Sequence, residues 1–104
     1  MAESISHKRT AKRIAKKLNT EYNIGKGPDI ITKNEVNEIE TPNTVRDGIM
    51  QLQGYRRPVY IVGTNEKAVK IALDVTKNTT IGVKNNQNKI RKRSTRKKSW
   101  FFDF

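Results

Sequence analysis

Ala11, Ile14, Ala15 and Leu18 fall at i, i+3, i+4 and i+7, the spacing of one helical face. They predict an amphipathic helix over residues 5–19, with Ser4 or Ser6 as its cap. Lys8, Arg9, Lys12, Arg13, Lys16 and Lys17 occupy the other faces. A short extended piece over 21–24 leads into Gly25-Lys26-Gly27-Pro28, a turn-forming cluster. Residues 29–32 predict a strand, Lys33-Asn34 a tight turn, and residues 35–40 a second strand. In that strand Val36 and Ile39 do not alternate cleanly, which leaves its register open.

Thr41-Pro42 combines an N-cap hydroxyl with a proline at the first helical position. The helix it starts should run to about Gly54, with Val45, Ile49, Leu52 and Tyr55 on one face. The run Pro-Val-Tyr-Ile-Val over 58–62 is short and continuous, as in a strand buried on both faces. Ala68, Val69, Ala72, Leu73 and Val75 give a broad apolar face to a third helix over 65–77. A strand over 80–83, an Asn-rich turn at 85–88 and an edge strand over 89–93 complete the pattern. The order is α-β-β-β-α-β-α-β with a terminal β as an addition, an α/β (α+β) mixed sheet flanked by helices. Residues 1–90 form the expected single domain. Residues 91–104 are the expected basic tail, in which 91–98 is too charged to pack. Its end, Trp100-Phe101-Phe102-Asp103-Phe104, is read first as docking on the domain, with a partner or stacked bases as the other options.

The chain of 104 residues supports one core, and its 34% hydrophobic content requires that core to be compact. No Cys is present, which excludes disulfides, thiolate nucleophiles and Cys-based zinc sites. With no apolar run near membrane length and no secretory h-region, a cytoplasmic protein is expected. The net charge of +12 is uneven, at +5 over residues 1–20, zero over 21–83 and +7 over 84–104. Segregated positive charge of this size favours a polyanion, nucleic acid above all. An anionic membrane is disfavoured because the basic helix lacks aromatic anchors.

Against that basic background stand a lone Asp29, the pair Glu38-x-Glu40, and Gln51-x-x-x-Tyr55. Carboxylates on neighbouring strands suit a hard divalent cation, and the surrounding charge suits a phosphodiester. Strand alternation puts Glu38 and Glu40 on one face. His7, the single histidine, receives no role, and no Ser/His/Asp set can be built around it. Gly25-x-Gly27 is no P-loop, since no Gly-Lys-Ser/Thr follows.

Over about residues 5–84 this arrangement resembles the PD-(D/E)XK nuclease superfamily, the restriction-endonuclease-like fold of archaeal Holliday-junction resolvases and RecB-type nucleases. Pro28-Asp29 matches the Pro-Asp, Glu38-Ile39-Glu40 sits at the Glu-x-Lys, and Gln51-x-x-x-Tyr55 is similar to the RecB-type Gln-x-x-x-Tyr. The resemblance implies a magnesium- or manganese-dependent endonuclease, a hydrolase acting on DNA, with structured DNA as one substrate and a homodimer as one arrangement. It implies Asp29, Glu38 and the Ile39 carbonyl as metal ligands. It also implies catalytic roles for Asp29, Glu38, Glu40, Gln51 and Tyr55. Glu40 departs from the motif, whose Lys would have to come from Lys26 or Lys33. Backbone phosphates would meet Lys8, Arg9, Lys12, Arg13, Lys16, Lys26, Lys33, Arg91, Arg93, Arg96 and Lys97, and Tyr60 or the aromatic end would anchor a dimer. Two other readings stand beside the nuclease: a nucleic-acid-binding module of the same fold without catalysis, and a basic structural or interaction protein.

Overall fold

The computed structural model describes residues 5–23 and 28–98. Helix α1 (Ile5–Lys17) precedes strands β1 (Ile30–Ile31) and β2 (Val36–Glu40). Helix α2 (Val45–Gln51), strand β3 (Val59–Gly63), helix α3 (Glu66–Val75), and strands β4 (Gly82–Lys84) and β5 (Ile90–Lys92) follow. The strands form one sheet in the order β1-β2-β3-β4-β5. β2 with β3 and β3 with β4 pair in parallel, whereas the outer pairs β1–β2 and β4–β5 are antiparallel. This is the mixed α+β sheet that the pattern of apolar positions predicts.

Parallel neighbours need a crossover, and α2 and α3 supply the two required here. Both cover one face, burying Val36, Leu52, Val59, Ile61 and Val69. On the other face α1 presses Ala11, Ile14 and Ala15 against Ile30, Ile39 and Val62. The open register of β2 is thereby resolved. Its residues are all buried, and Val36 and Ile39, three apart, belong to opposite cores. Neither face of this strand meets solvent, so clean alternation is not required.

Three local expectations change. Glu21 and Tyr22 form no strand, and Asn23 N–H instead bonds to the Asp29 carbonyl. The helix expected from Thr41 is regular only from Val45, because Thr44 Oγ1 accepts from Thr41 N–H at 3.0 Å and closes a separate turn. Residues 91–96, expected to be too charged to pack, run along the sheet. Arg96 donates to the carbonyls of Leu52 (2.7 Å) and Tyr55 (3.0 Å), which follow α2 and have no intrahelical partner. Ser94 Oγ accepts from Val59 N–H at 3.1 Å and donates to the Thr80 carbonyl at 2.7 Å. Gly82 permits this approach, since a Cβ there would stand 2.5 Å from the Ser94 nitrogen. Gly25, Lys26, Gly27 and the aromatic end at 100–104 lie outside the described residues. Among the described residues no helix is long and apolar enough to cross a membrane.

Candidate functional site

The pleat of β2 sends Val36, Glu38 and Glu40 to one face, where Val36 is core and the two acids continue the line toward the strand's carboxyl end. β1 pairs Ile30 with Asn37, so Asp29 comes one step further along, abreast of Glu38. The three carboxylates of Asp29, Glu38 and Glu40 are 7%, 6% and 7% exposed. Ile39 N–H donates to Asp29 Oδ2 at 2.8 Å and fixes that side chain. The N–H and C=O of one strand residue point to the same edge, so the Ile39 carbonyl also faces the Asp29 side.

His7 completes the group. It is half-buried in the first turns of α1, and its Nε2 lies 3.1 Å from Asp29 Oδ2. His7, Asp29 and Glu38 each offer one ligand atom within 4.8 Å of the others. Sequence reasoning assigned His7 nothing, yet a signal was there. His7 lies four residues before Ala11 and seven before Ile14, so it extends the buried stripe of α1 by one turn.

Burial dominates the electrostatics. Burial, helped by hydrogen bonding and repulsion from Asp29, pushes the Glu38 carboxyl up to about 11. Burial also raises Glu40 to about 8, against a hydrogen bond with Thr44 and with added repulsion from Asp29. Burial raises Asp29 as well, but hydrogen bonds from His7, Glu38 and Ile39 N–H outweigh it and leave that carboxyl below its ordinary value. In the metal-free protein at neutral pH, Asp29 is therefore the anion and Glu38 the acid. Glu38 Oε2 is buried with no hydrogen-bond partner among the described residues. A divalent cation would remove both the repulsion and the orphaned oxygen, so the donor set of two carboxylates and an imidazole fits one.

The remaining expected residues disperse. Glu40 stands outside the close triplet, turned toward Thr44 and Gly48. Gln51 is exposed where α2 has run back toward the start of β3, and Tyr55 packs on the core, so neither joins the carboxylates. Lys33 is exposed in the turn before β2, at the end of the strand opposite Glu40. Lys8, Arg9, Lys12 and Lys16 project from α1, and Arg93 and Lys97 are exposed. Arg13 donates to the Asn86 carbonyl, Arg91 pairs with Glu66, and Arg96 is held by the carbonyls already described. Tyr60, expected as a dimer anchor, is only 3% exposed and lies under Lys84, whose Nζ is 4.7 Å from the ring centre. An interior ring cannot anchor an interface. Lys26 lies outside the described residues.

Comparison with protein-family models, curated proteins and solved structures finds no match to this chain.

Proposed function

We propose that this protein is a metal-dependent nuclease of PD-(D/E)XK type that hydrolyses phosphodiester bonds in DNA. One observation carries the reading: a buried cluster of Asp29 and Glu38, which cannot both ionise without a cation, with His7 in reach on the basic helix α1. An acidic group this dry is costly unless protonated or bound to a cation, and the basic helix that carries His7 suits a polyanion.

His7, Asp29 and Glu38 would hold the cation, magnesium or manganese, which supplies Lewis acidity and a more acidic water when bound. The imidazole shifts the preference toward manganese, because magnesium takes oxygen ligands. Ile39 N–H keeps Asp29 oriented, and the exposed cations of α1 hold backbone phosphates. Glu40 stands in the motif's Lys position with its carboxyl raised to about 8. To take a proton from the attacking water it would have to turn from Thr44 and Gly48 toward the triplet.

Incubation of supercoiled and branched DNA with the protein and manganese, magnesium or EDTA tests this. Cleavage should require a metal and run faster with manganese. Asp29→Asn and Glu38→Gln should each slow it by at least about 100-fold while DNA binding persists. An inactive wild type under every metal condition, or an Asp29→Asn protein that cuts normally, would overturn the proposal.

A further inference from the structure

On the α1 side of the sheet, a polar cleft of about 450 Å³ opens between α1, the end of β3 and the β4–β5 turn. Ser6, Arg9, Thr10 and Arg13 line it from one stripe of the helix, and Thr64 and Asn86 line it from the sheet. No acidic residue is among the described residues that line it. Its walls are tied together, since Arg13 donates to the Asn86 carbonyl at 3.1 Å and Asn86 Nδ2 to the Thr64 carbonyl at 3.0 Å. Three groups keep unused hydrogen-bonding capacity. Thr64 is 6% exposed, and its Oγ1 is buried with no hydrogen-bond partner among the described residues. Arg9 forms no ion pair among the described residues. Arg13 uses one of five N–H donors on Asn86.

The cleft adjoins the carboxylate cluster. Ser6 precedes His7 in α1, and Thr64 N–H donates to the Glu40 carbonyl at 3.0 Å. We infer that this cleft binds a backbone phosphate of the nucleic acid flanking the phosphodiester at the carboxylates, with Arg9, Arg13 and the Thr64 hydroxyl as its donors. The inference rests on the nuclease reading for what lies next door. The cleft itself is built from groups that the carboxylate site does not use. A phosphate takes hydrogen bonds on several oxygens, which matches two guanidinium groups and a hydroxyl lining one cleft that no carboxylate of the described residues lines.

The test is fluorescence anisotropy of a labelled DNA duplex in EDTA, where chemistry is silent. Arg9→Gln should weaken binding about five-fold near 0.15 M salt and reduce the salt slope by about 1. Thr64→Val keeps the side-chain shape and removes only the orphaned hydroxyl, so its thermal melt should match wild type while affinity falls about five-fold. Lys67→Gln and Lys70→Gln, equal charge changes on exposed positions of α3 across the sheet, should leave affinity nearly unchanged. Equal losses in the α1 and α3 variants mean that affinity follows total charge and overturn the cleft. Unchanged affinity in both Arg9→Gln and Thr64→Val overturns it as well. Position-specific losses without metal-dependent cleavage would support the cleft and reject the nuclease reading. Cleavage with an unaltered KM in both cleft variants would do the reverse.

Discussion

Two buried charged clusters in this sheet behave oppositely. Lys84, 2% exposed, is compensated from within: it pairs with Glu35, donates to Asn88 Oδ1 at 2.8 Å and lies over the Tyr60 ring. Burial lowers its pKa, and Glu35 opposes that shift. Asp29, Glu38 and Glu40 are compensated only in part, by hydrogen bonds from His7 and Ile39 N–H to Asp29 and between Thr44 and Glu40, so their energy varies with pH. Below about pH 4.5, folded and unfolded chains both hold the Glu38 and Glu40 protons. As pH rises, the unfolded chain ionises while the folded one does not, and stability falls. Glu40 contributes to that decline until about 8 and Glu38 toward about 11. Each contributes up to about 1.4 kcal/mol per pH unit. Asp29 has the opposite sign, and its contribution is lost as pH falls below its ordinary range. Urea denaturation of the metal-free protein should therefore give lower stability at pH 8 than at pH 5.5. Glu38→Gln, which cannot ionise, should flatten the trend and be the more stable protein at pH 8. A wild type that gains stability over that interval contradicts the assignment.

The acids reach one another because of how β2 and α2 meet. β2 is central enough that both its faces are covered, and its last residues carry the acids beyond the core. α2 lies close over them at Gly48, where a Cβ would stand 2.7 Å from Glu40 Cγ and 2.8 Å from Ile61 Cδ1. Glycine inside a helix ordinarily costs about 1 kcal/mol relative to alanine. Here the close approach outweighs that, so Gly48→Ala should destabilise the protein by roughly 1–3 kcal/mol despite its better helix propensity. It should also displace Glu40, which a fall in cleavage rate larger than any fall in DNA affinity would register. A stabilised Gly48→Ala protein would mean that α2 does not contact β2 this closely. The helices were legible because their periodicities are strong, and β3 because its apolar run is continuous. The late start of α2 was not, because a Thr41–Thr44 side-chain bond competes with the cap that Thr41-Pro42 suggests.

Taken whole, the molecule separates its charges, with a basic helix and basic C-terminal strand around a neutral middle that hides three of its acids, Asp29, Glu38 and Glu40. The basic groups are not equivalent. Arg96 and Lys92 bond to backbone carbonyls, Arg91 pairs with Glu66, and Lys8, Arg9, Lys12, Lys16 and Lys17 stay exposed on the helix that carries His7. Binding of a cation to the folded state alone should raise its melting temperature. At one hundred times the dissociation constant the gain is about 2.7 kcal/mol, worth several degrees or more for a domain of this length. Manganese should shift the melt more at pH 8 than at pH 6, because protons compete for Glu38. Asp29→Asn and Glu38→Gln should abolish most of the shift. Equal shifts in wild type and both variants would mean that the cation binds elsewhere.

Periodicity and composition alone determined the alternation of helices and strands, the mixed sheet, the basic first helix and the acids of β2, since each is written in neighbouring residues. Tertiary structure decided which of those residues meet. It brought His7 across 22 positions to Asp29, sent Gln51 and Tyr55 away from the carboxylates, buried Tyr60 and docked residues 91–96. Those outcomes depend on strand order and helix packing, and no local pattern encodes the distance between segments that the sheet later joins.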